Sequence, residues 1–184
     1  MEGSGCKGAG LLSNLSPVFC DPSRPGRVFN LKGNEMDKKW VVVDLDGTLV
    51  GTADRDHLRH DWDAFHEAGC NSLDINRPVE QFIKTCHLKY NFLLLTGRSA
   101  RYKIMTIGWL SRNDLLATFD EILMRADGDY RPDGIMKIAM LEEFFGDKQS
   151  VIDKVAFCLE DRQIVIDAFR EFGLPCWEVV PGGY

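Results

Sequence analysis

Residues 43–50 read Val43-Asp44-Leu45-Asp46-Gly47-Thr48-Leu49-Val50. They continue Trp40-Val41-Val42-Val43, a β-branched run without polar alternation, as expected of a strand buried on both faces of a parallel sheet. That strand delivers two acids to the loop at its carboxyl end. Carboxylates one residue apart point the same way in an extended chain and repel each other unless a cation sits between them. A hard, oxygen-preferring ion such as Mg2+, held by Asp44 and Asp46, is the natural counter-charge. Gly47 lets the loop turn sharply so that its N–H groups face a phosphate, and Thr48 adds a hydroxyl. Asp and Gly are also ordinary Asx-turn residues; the eight-residue string is more specific than that pair.

The same buried-strand pattern recurs at Phe92–Leu95, Glu121–Met124, Val155–Leu159 and Cys176–Val180. Helical periodicity falls between these runs at Val79–Leu88, Ala100–Leu110, Ile135–Phe145 and Gln163–Phe172, the last closed by Gly173 and followed by Pro175. Strands alternating with helices predict an α/β fold with a Rossmann-like, doubly wound parallel sheet. Such sheets bind ligands at the carboxyl ends of their strands, where the two acids stand. Residues 1–37, rich in Gly, Ser, Pro and Asn and without sustained periodicity, read as a flexible arm before a single catalytic domain over 38–184. Met36 stands just before the first strand and is a candidate alternative start.

A chain of 184 residues with 45% hydrophobic content supports one full-sized core. Its net charge of −6 argues against a broad, sequence-independent grip on nucleic acid, which needs clustered Lys and Arg, but leaves room for one nucleic-acid end at a local basic site. The six cysteines include no CxxC pair, which suits reduced thiols in a cytoplasmic protein; a zinc site from Cys70, Cys86 and His87 lacks ligand-pair spacing. No apolar run reaches the roughly 20 residues a membrane helix needs, so no membrane partner is expected. The sequence sets no oligomeric state.

The string DLDGTLV resembles the first motif of the haloacid dehalogenase superfamily, and later segments resemble its remaining motifs in order. By that resemblance Asp44 is the nucleophile that forms an aspartyl-phosphate, and Asp46 is the general acid and then base. Thr96-Gly97-Arg98, after the second strand, is similar to the second motif, whose hydroxyl bonds a transferring phosphoryl oxygen. Lys137, near the start of a helix, matches the third and stabilises gathered negative charge. Glu160-Asp161 matches the acidic fourth motif, with Asp161 as direct metal ligand and Glu160 behind it. The superfamily more commonly has Asp-Asp there, so the division of labour between the two stays open. A capless domain, or one with a small flap only, is implied, because 49 residues lie between Asp46 and Thr96 and 40 between Thr96 and Lys137. An open site of that kind admits the end of something large.

The second half is also similar to the 3′-phosphatase domain of phage-type polynucleotide kinase-phosphatase. The likeness runs through Leu123-Met124-Arg125, Gly128-Asp129-Tyr130-Arg131 with Asp133 and Lys137, Glu160-Asp161-Arg162-Gln163, and Cys176-Trp177-Glu178-Val179. Arg55 and Arg98 match arginines of that branch and are implied to contact substrate phosphates or organise the site, as planar guanidinium forks do. Gly47, Thr48, Gly97 and Asp133 complete the implied substrate-binding set. The resemblance implies Mg2+-dependent removal of 3′-phosphate from DNA or RNA ends. A nucleotidase acting on free mononucleotides uses the same residues, and a catalytically silent module that holds phosphorylated ends is the reading from a different class. No GxxxxGK[ST] string occurs, so 5′ phosphorylation is not expected.

Overall fold

Along Val41-Val42-Val43 the side chains alternate between two cores. Val41 and Val43 join Phe92, Leu94, Val79, Ile83, Trp109 and Leu110, whereas Val42 joins Leu93, Leu95, Leu141, Val151, Val165 and Phe169. A strand with period two and apolar residues on both sides can only be central, and each such side chain contributes roughly 1.5–3 kcal/mol on burial. The computed structural model describes residues 19–20, 28–29 and 38–180.

The chain divides into two units, 1–37 and 38–184. In the first, β1 (Phe19–Cys20) pairs antiparallel with β2 (Val28–Phe29). The arm expected from composition, and Met36, otherwise lie outside the described residues. The second unit has β3 (Trp40–Val43), β4 (Asn91–Ser99), β5 (Glu121–Arg125), β6 (Val155–Glu160) and β7 (Cys176–Glu178), all parallel, in the order β5-β4-β3-β6-β7. The order reverses direction around β3, so the crevice expected of a doubly wound sheet opens where Asp44 and Asp46 leave it.

Helices α2 (Arg77–Cys86) and α3 (Lys103–Arg112) cover one face, and α4 (Asp133–Phe145), α5 (Lys148–Lys154) and α6 (Gln163–Phe172) the other. Helix α6 ends as read from the sequence: Gly173 has φ +110° and its N–H reaches the carbonyls of Phe169 and Arg170. The other boundaries move for local reasons. Helix α2 starts before Val79 because the Asn76 side chain caps it and Pro78 fits its first turn. The stretch from Ala100 opens as a 3-10 turn, capped by Ser99, before α3 begins. Strand β7 ends at Glu178.

Two helices go beyond the periodicity reading. In α5 the Asp147 carboxylate caps a short segment whose buried residue is Val151 alone. Helix α1 (Trp62–Asn71) is capped by Asp61 and buries Phe65, Gly69 and Cys70, too sparse an apolar stripe to signal a helix. What it buries belongs to the site. No helix among the described residues is long and apolar enough to cross a membrane.

Candidate active site

Strand β3 ends where the Asp44 N–H pairs with the Leu159 carbonyl at 3.0 Å. The loop then folds on itself: Leu49 and Val50 donate to the Leu45 carbonyl at 2.9 and 2.8 Å, and Gly47 donates to the Val50 carbonyl at 2.7 Å. Gly47 has φ +98°, and a Cβ there would lie 2.0 Å from Asp161 Oδ2. Glycine is required twice over, by backbone conformation and by the acid that leans on it. Thr48 adds a 3.3 Å hydrogen bond from its hydroxyl to Asp161 Oδ1. Its role is to anchor the last acidic motif against the first.

Lys137, in the first turns of α4, is the buried hub. Its ammonium donates to Asp44 Oδ1 and to Glu160 Oε2, both at 2.6 Å. Burial alone would lower its pKa, but the carboxylates of Asp44 and Glu160 outweigh that and hold it charged. Burial and the Glu160 charge push the Asp44 carboxyl up to about 7, against the pull of Lys137. Asp161 is pushed up to about 6 by burial and by Asp44. Burial raises Glu160 as well, opposed by Lys137. One ammonium therefore faces three carboxylates, which is the arrangement that recruits a further cation. Asp44, Glu160 and Asp161 each offer an oxygen, all within 4.8 Å of one another, and Asp44 Oδ2 is buried without a hydrogen-bond partner. An all-oxygen set with an orphaned carboxylate oxygen fits a hard divalent ion. Glu160 already gives one oxygen to Lys137 and accepts the Arg162 N–H on the other at 3.3 Å, so it is the more committed of the final two acids.

The side chain of Asp46 has partners of its own. Its oxygens lie outside that converging group, and both are taken by guanidinium groups. Arg98 grips it in a fork, Nε to Oδ2 and Nη2 to Oδ1, each at 2.6 Å, and Arg55 Nη2 adds a 2.7 Å bond to Oδ1. The two acids of the loop are thus neutralised separately, Asp44 by an ammonium and Asp46 by two arginines. Burial would raise the Asp46 pKa, but Arg98 and then Arg55 bring it below the usual carboxylate value. Arg55 and Arg98 are 1% and 0% exposed. Arg98 also donates to Cys70 Sγ at 3.1 Å and to the Thr106 hydroxyl at 3.3 Å; Arg55 donates to the Gly51 carbonyl at 2.6 Å and lies 4.9 Å from the centre of the Phe65 ring.

Residues 38–184, the whole second unit, match the family model described as the polynucleotide kinase PNKP phosphatase domain. The chain belongs to that family. It is a phosphatase of the haloacid dehalogenase superfamily, similar to the PNKP phosphatase domain. A chain in the structure of the Pnkp1/Rnl/Hen1 complex is 30% identical, with a TM-score of 0.63 over 81% of this chain and 48% of that one. One in the structure of the Pnkp1/Rnl/Hen1 RNA repair complex is 28% identical, with a TM-score of 0.62 over 95% of this chain and 49% of that one. The present chain thus spans about half the length of those chains. A haloacid dehalogenase-like family hydrolase from Streptococcus pneumoniae shares the fold at 11% identity, with a TM-score of 0.56 over 77% of this chain and 84% of that one.

In this PNKP-type domain the second motif lies inside β4, not on a loop after it. Thr96 is buried and its hydroxyl oxygen accepts the Arg98 N–H at 3.2 Å, which leaves the O–H to donate elsewhere. Gly97 gives its carbonyl to Arg125 Nε at 3.1 Å, and a Cβ on it would meet Asp133 only at ordinary contact distance, 3.7 Å. Asp133, at the start of α4, receives Arg125 Nη2 and Arg162 Nη1, so it organises two arginines on the rim. These groups line one cavity of about 920 Å³ over the carboxyl ends of the strands. Sequence reasoning missed Gly69, Cys70 and Thr106, which seat the arginines, and His66, whose pKa burial lowers to about 4 beside Arg98. A glycine among polar residues carries no signal of its own.

Proposed function

We propose that the domain removes 3′-phosphate from DNA or RNA ends through an aspartyl-phosphate on Asp44, with Mg2+ as cofactor. The observation that carries this reading is Lys137 binding one oxygen of Asp44 while the other stays buried and unpartnered beside Asp161. Mg2+, held by Asp44 and Asp161 with Glu160 adjoining, would draw the phosphate to the nucleophile and offset the charge of both anions.

In the first half-reaction an Asp44 oxygen bonds to phosphorus and the bond from phosphorus to the 3′-oxygen breaks. The leaving oxygen takes a proton from Asp46 and departs as the 3′-hydroxyl. In the second, water attacks phosphorus, Asp46 accepts its proton, and inorganic phosphate leaves with Asp44 restored. Asp46 rests as a carboxylate under Arg55 and Arg98, ready for the second step; the first needs it protonated. The Lys137 ammonium offsets charge on the phosphoryl oxygens, and the free O–H of Thr96 is available to one of them.

The 28% identity to a chain of the Pnkp1/Rnl/Hen1 RNA repair complex supports a nucleic-acid end as substrate. No phosphate-loop string occurs in these 184 residues, so this reading assigns them no 5′ phosphorylation. Phosphate release from a 3′-phosphorylated oligonucleotide and from 3′- and 5′-mononucleotides, with Mg2+ and with EDTA, tests it. Preference for the oligonucleotide, lost in EDTA and in Asp44→Asn, is the expected result. Preference for mononucleotides makes the protein a nucleotidase, and no release from any substrate makes it a binding module.

A further inference from the structure

Helix α1 turns one stripe toward the catalytic groups. Gly69 and Cys70 lie on it, both against Arg98, whose guanidinium holds Asp46. Residues three and four apart share a helix face, so His66, one turn earlier, stands on the same stripe. It lines the same cavity as Asp44, Asp46 and Arg98, and of the charges around it that of Asp46 acts on it most.

The His66 ring is fixed by aromatic neighbours. The ring centres of Phe65 and Tyr102 each lie 5.7 Å from it with planes at 69°, and that of Trp62 lies at 5.9 Å. None of these three rings meets a nitrogen of His66 with a hydrogen bond, and no other described residue does so. Burial, with Arg98 and Arg55 close by, holds the ring far below the usual histidine value, at about 4, so it is uncharged at neutral pH. A neutral imidazole has one N–H to give and one lone pair to accept. Here the N–H is left for what enters the cavity.

The chemistry has a place for such a donor. Asp46 Oδ1 accepts two guanidinium bonds and Oδ2 a third, which leaves one lone pair on the whole carboxyl group. That position is taken by the proton Asp46 must deliver. Charge that gathers on the departing oxygen before the proton arrives needs a second donor, and the guanidinium groups that could supply one are already aimed at Asp46.

We infer that His66 is a catalytic residue of the phosphoryl transfer, its N–H donating to the oxygen that links phosphorus to the departing group. The inference rests on the aspartyl-phosphate reading above and adds the partner of the leaving side. As the bond from phosphorus to that oxygen breaks, the electron pair stays on the oxygen, and the proton that it takes comes from Asp46. His66 keeps its own proton throughout; its hydrogen bond strengthens as the charge grows, which is the difference that lowers a barrier. A donor that stays neutral also adds no positive charge beside Arg55 and Arg98.

The test uses the Mg2+-loaded full chain with a set of substituted phenyl phosphates whose phenols differ in acidity, and with the nucleotide 3′-phosphate that the wild type cleaves fastest as the most basic leaving group. The quantity read is kcat/KM, which ends at the first irreversible step, the loss of that group. His66→Phe keeps an aromatic ring and removes the donor. It should lower kcat/KM about 10²-fold for the nucleotide ester but within about twofold for p-nitrophenyl phosphate, whose oxygen carries its charge unaided, with the other phenols graded between. His66→Gln restores an N–H and should recover about tenfold on the nucleotide ester. An equal loss across the set makes His66 a packing residue and overturns the inference, as does a wild-type kcat/KM for His66→Phe on the nucleotide ester. A partly unfolded variant lowers every substrate alike and cannot produce the gradient. Turnover that survives Asp44→Asn removes the aspartyl-phosphate reading and the inference with it, and is told apart because it shows in the Asp44 variant.

Discussion

Gly69 lies directly under Arg98: a Cβ built on this glycine would come within 2.5 Å of Arg98 Nη2 and 3.1 Å of Arg55 Cζ. A helix interior ordinarily gains about 1 kcal/mol when Gly becomes Ala. Here the added methyl has to displace two buried guanidinium groups from Asp46. Gly69→Ala is therefore expected to leave α1 as helical as before while lowering kcat by about 10²-fold, the scale of a misplaced acid–base group. Circular dichroism beside steady-state turnover checks this, and wild-type kcat would show that Arg98 does not set Asp46.

Lys137 neutralises two carboxylates that lie in the core. Its removal by Lys137→Ala leaves both without a counter-charge, a change that destabilises by about 3–5 kcal/mol. For a domain of this size that corresponds to a fall in Tm of roughly 6–20 °C. A shift below about 2 °C in thermal unfolding would mean that the ammonium is dispensable to the fold.

Metal-free protein should lose stability as pH rises. The Asp44 carboxyl moves from 3.8 to about 7 on folding, and Asp161 from 3.8 to about 6. Between those values the folded state binds more protons than the unfolded one, so this contribution is complete below 3.8 and is lost as pH rises through about 7. Two groups work in the opposite sense: Asp46, whose depressed pKa confines the effect to pH below 3.8, and His66, lowered from 6.5 to about 4, which offsets one of the two carboxyls between those values and leaves the net decline. Tm in EDTA should decline from about pH 5 to pH 8, and Mg2+ should flatten the decline by holding both carboxylates charged. A flat profile in EDTA refutes it.

Asp161 and Glu160 adjoin in sequence but differ in attachment. Asp161→Asn should raise the Mg2+ concentration for half-maximal activity by at least about tenfold, because it neutralises an oxygen donor of the converging set. Glu160→Gln should change the Mg2+ requirement less and lower Tm more, because Glu160 holds Lys137 at 2.6 Å. Titrating activity with Mg2+ in the two variants separates the roles, and the reverse ranking would exchange them.

The sheet was legible because its strands are buried on both faces. Unbroken runs such as Val41-Val42-Val43 and Phe92–Leu95 have few other uses in an α/β domain, and all five strands read from sequence are present in the parallel sheet. The acids and Lys137 were legible through motif spacing. What balances Asp46 was not. Taken alone Arg55 and Arg98 look like surface residues; the resemblance marked them as arginines that contact substrate phosphates or organise the site, and only the packing of α1 shows them at 1% and 0% exposure against Asp46. Their seat consists of a glycine, a thiol and a hydroxyl from different elements, which share no periodicity. The carboxylate pair suggested one cation between two acids; the fold adds protein cations that the pair did not suggest, Lys137 beside Asp44 and Arg55 with Arg98 beside Asp46.

The position of β3 in the middle of the sheet sets an order of assembly. The strand carrying the nucleophile pairs with β4 on one side, but on the other it waits for β6, and Glu160 and Asp161 arrive only with that late strand. Contacts between segments so far apart in the chain are closed slowly and late. During synthesis, a ribosome-bound chain that has emerged only as far as α5 presents β3 as an open edge, with Asp44 and Lys137 already made but no acids behind them. Until β6 pairs with it, β3 keeps one edge open to other chains and the site has neither Glu160 nor Asp161, so closing the sheet and completing the acidic cluster are the same event.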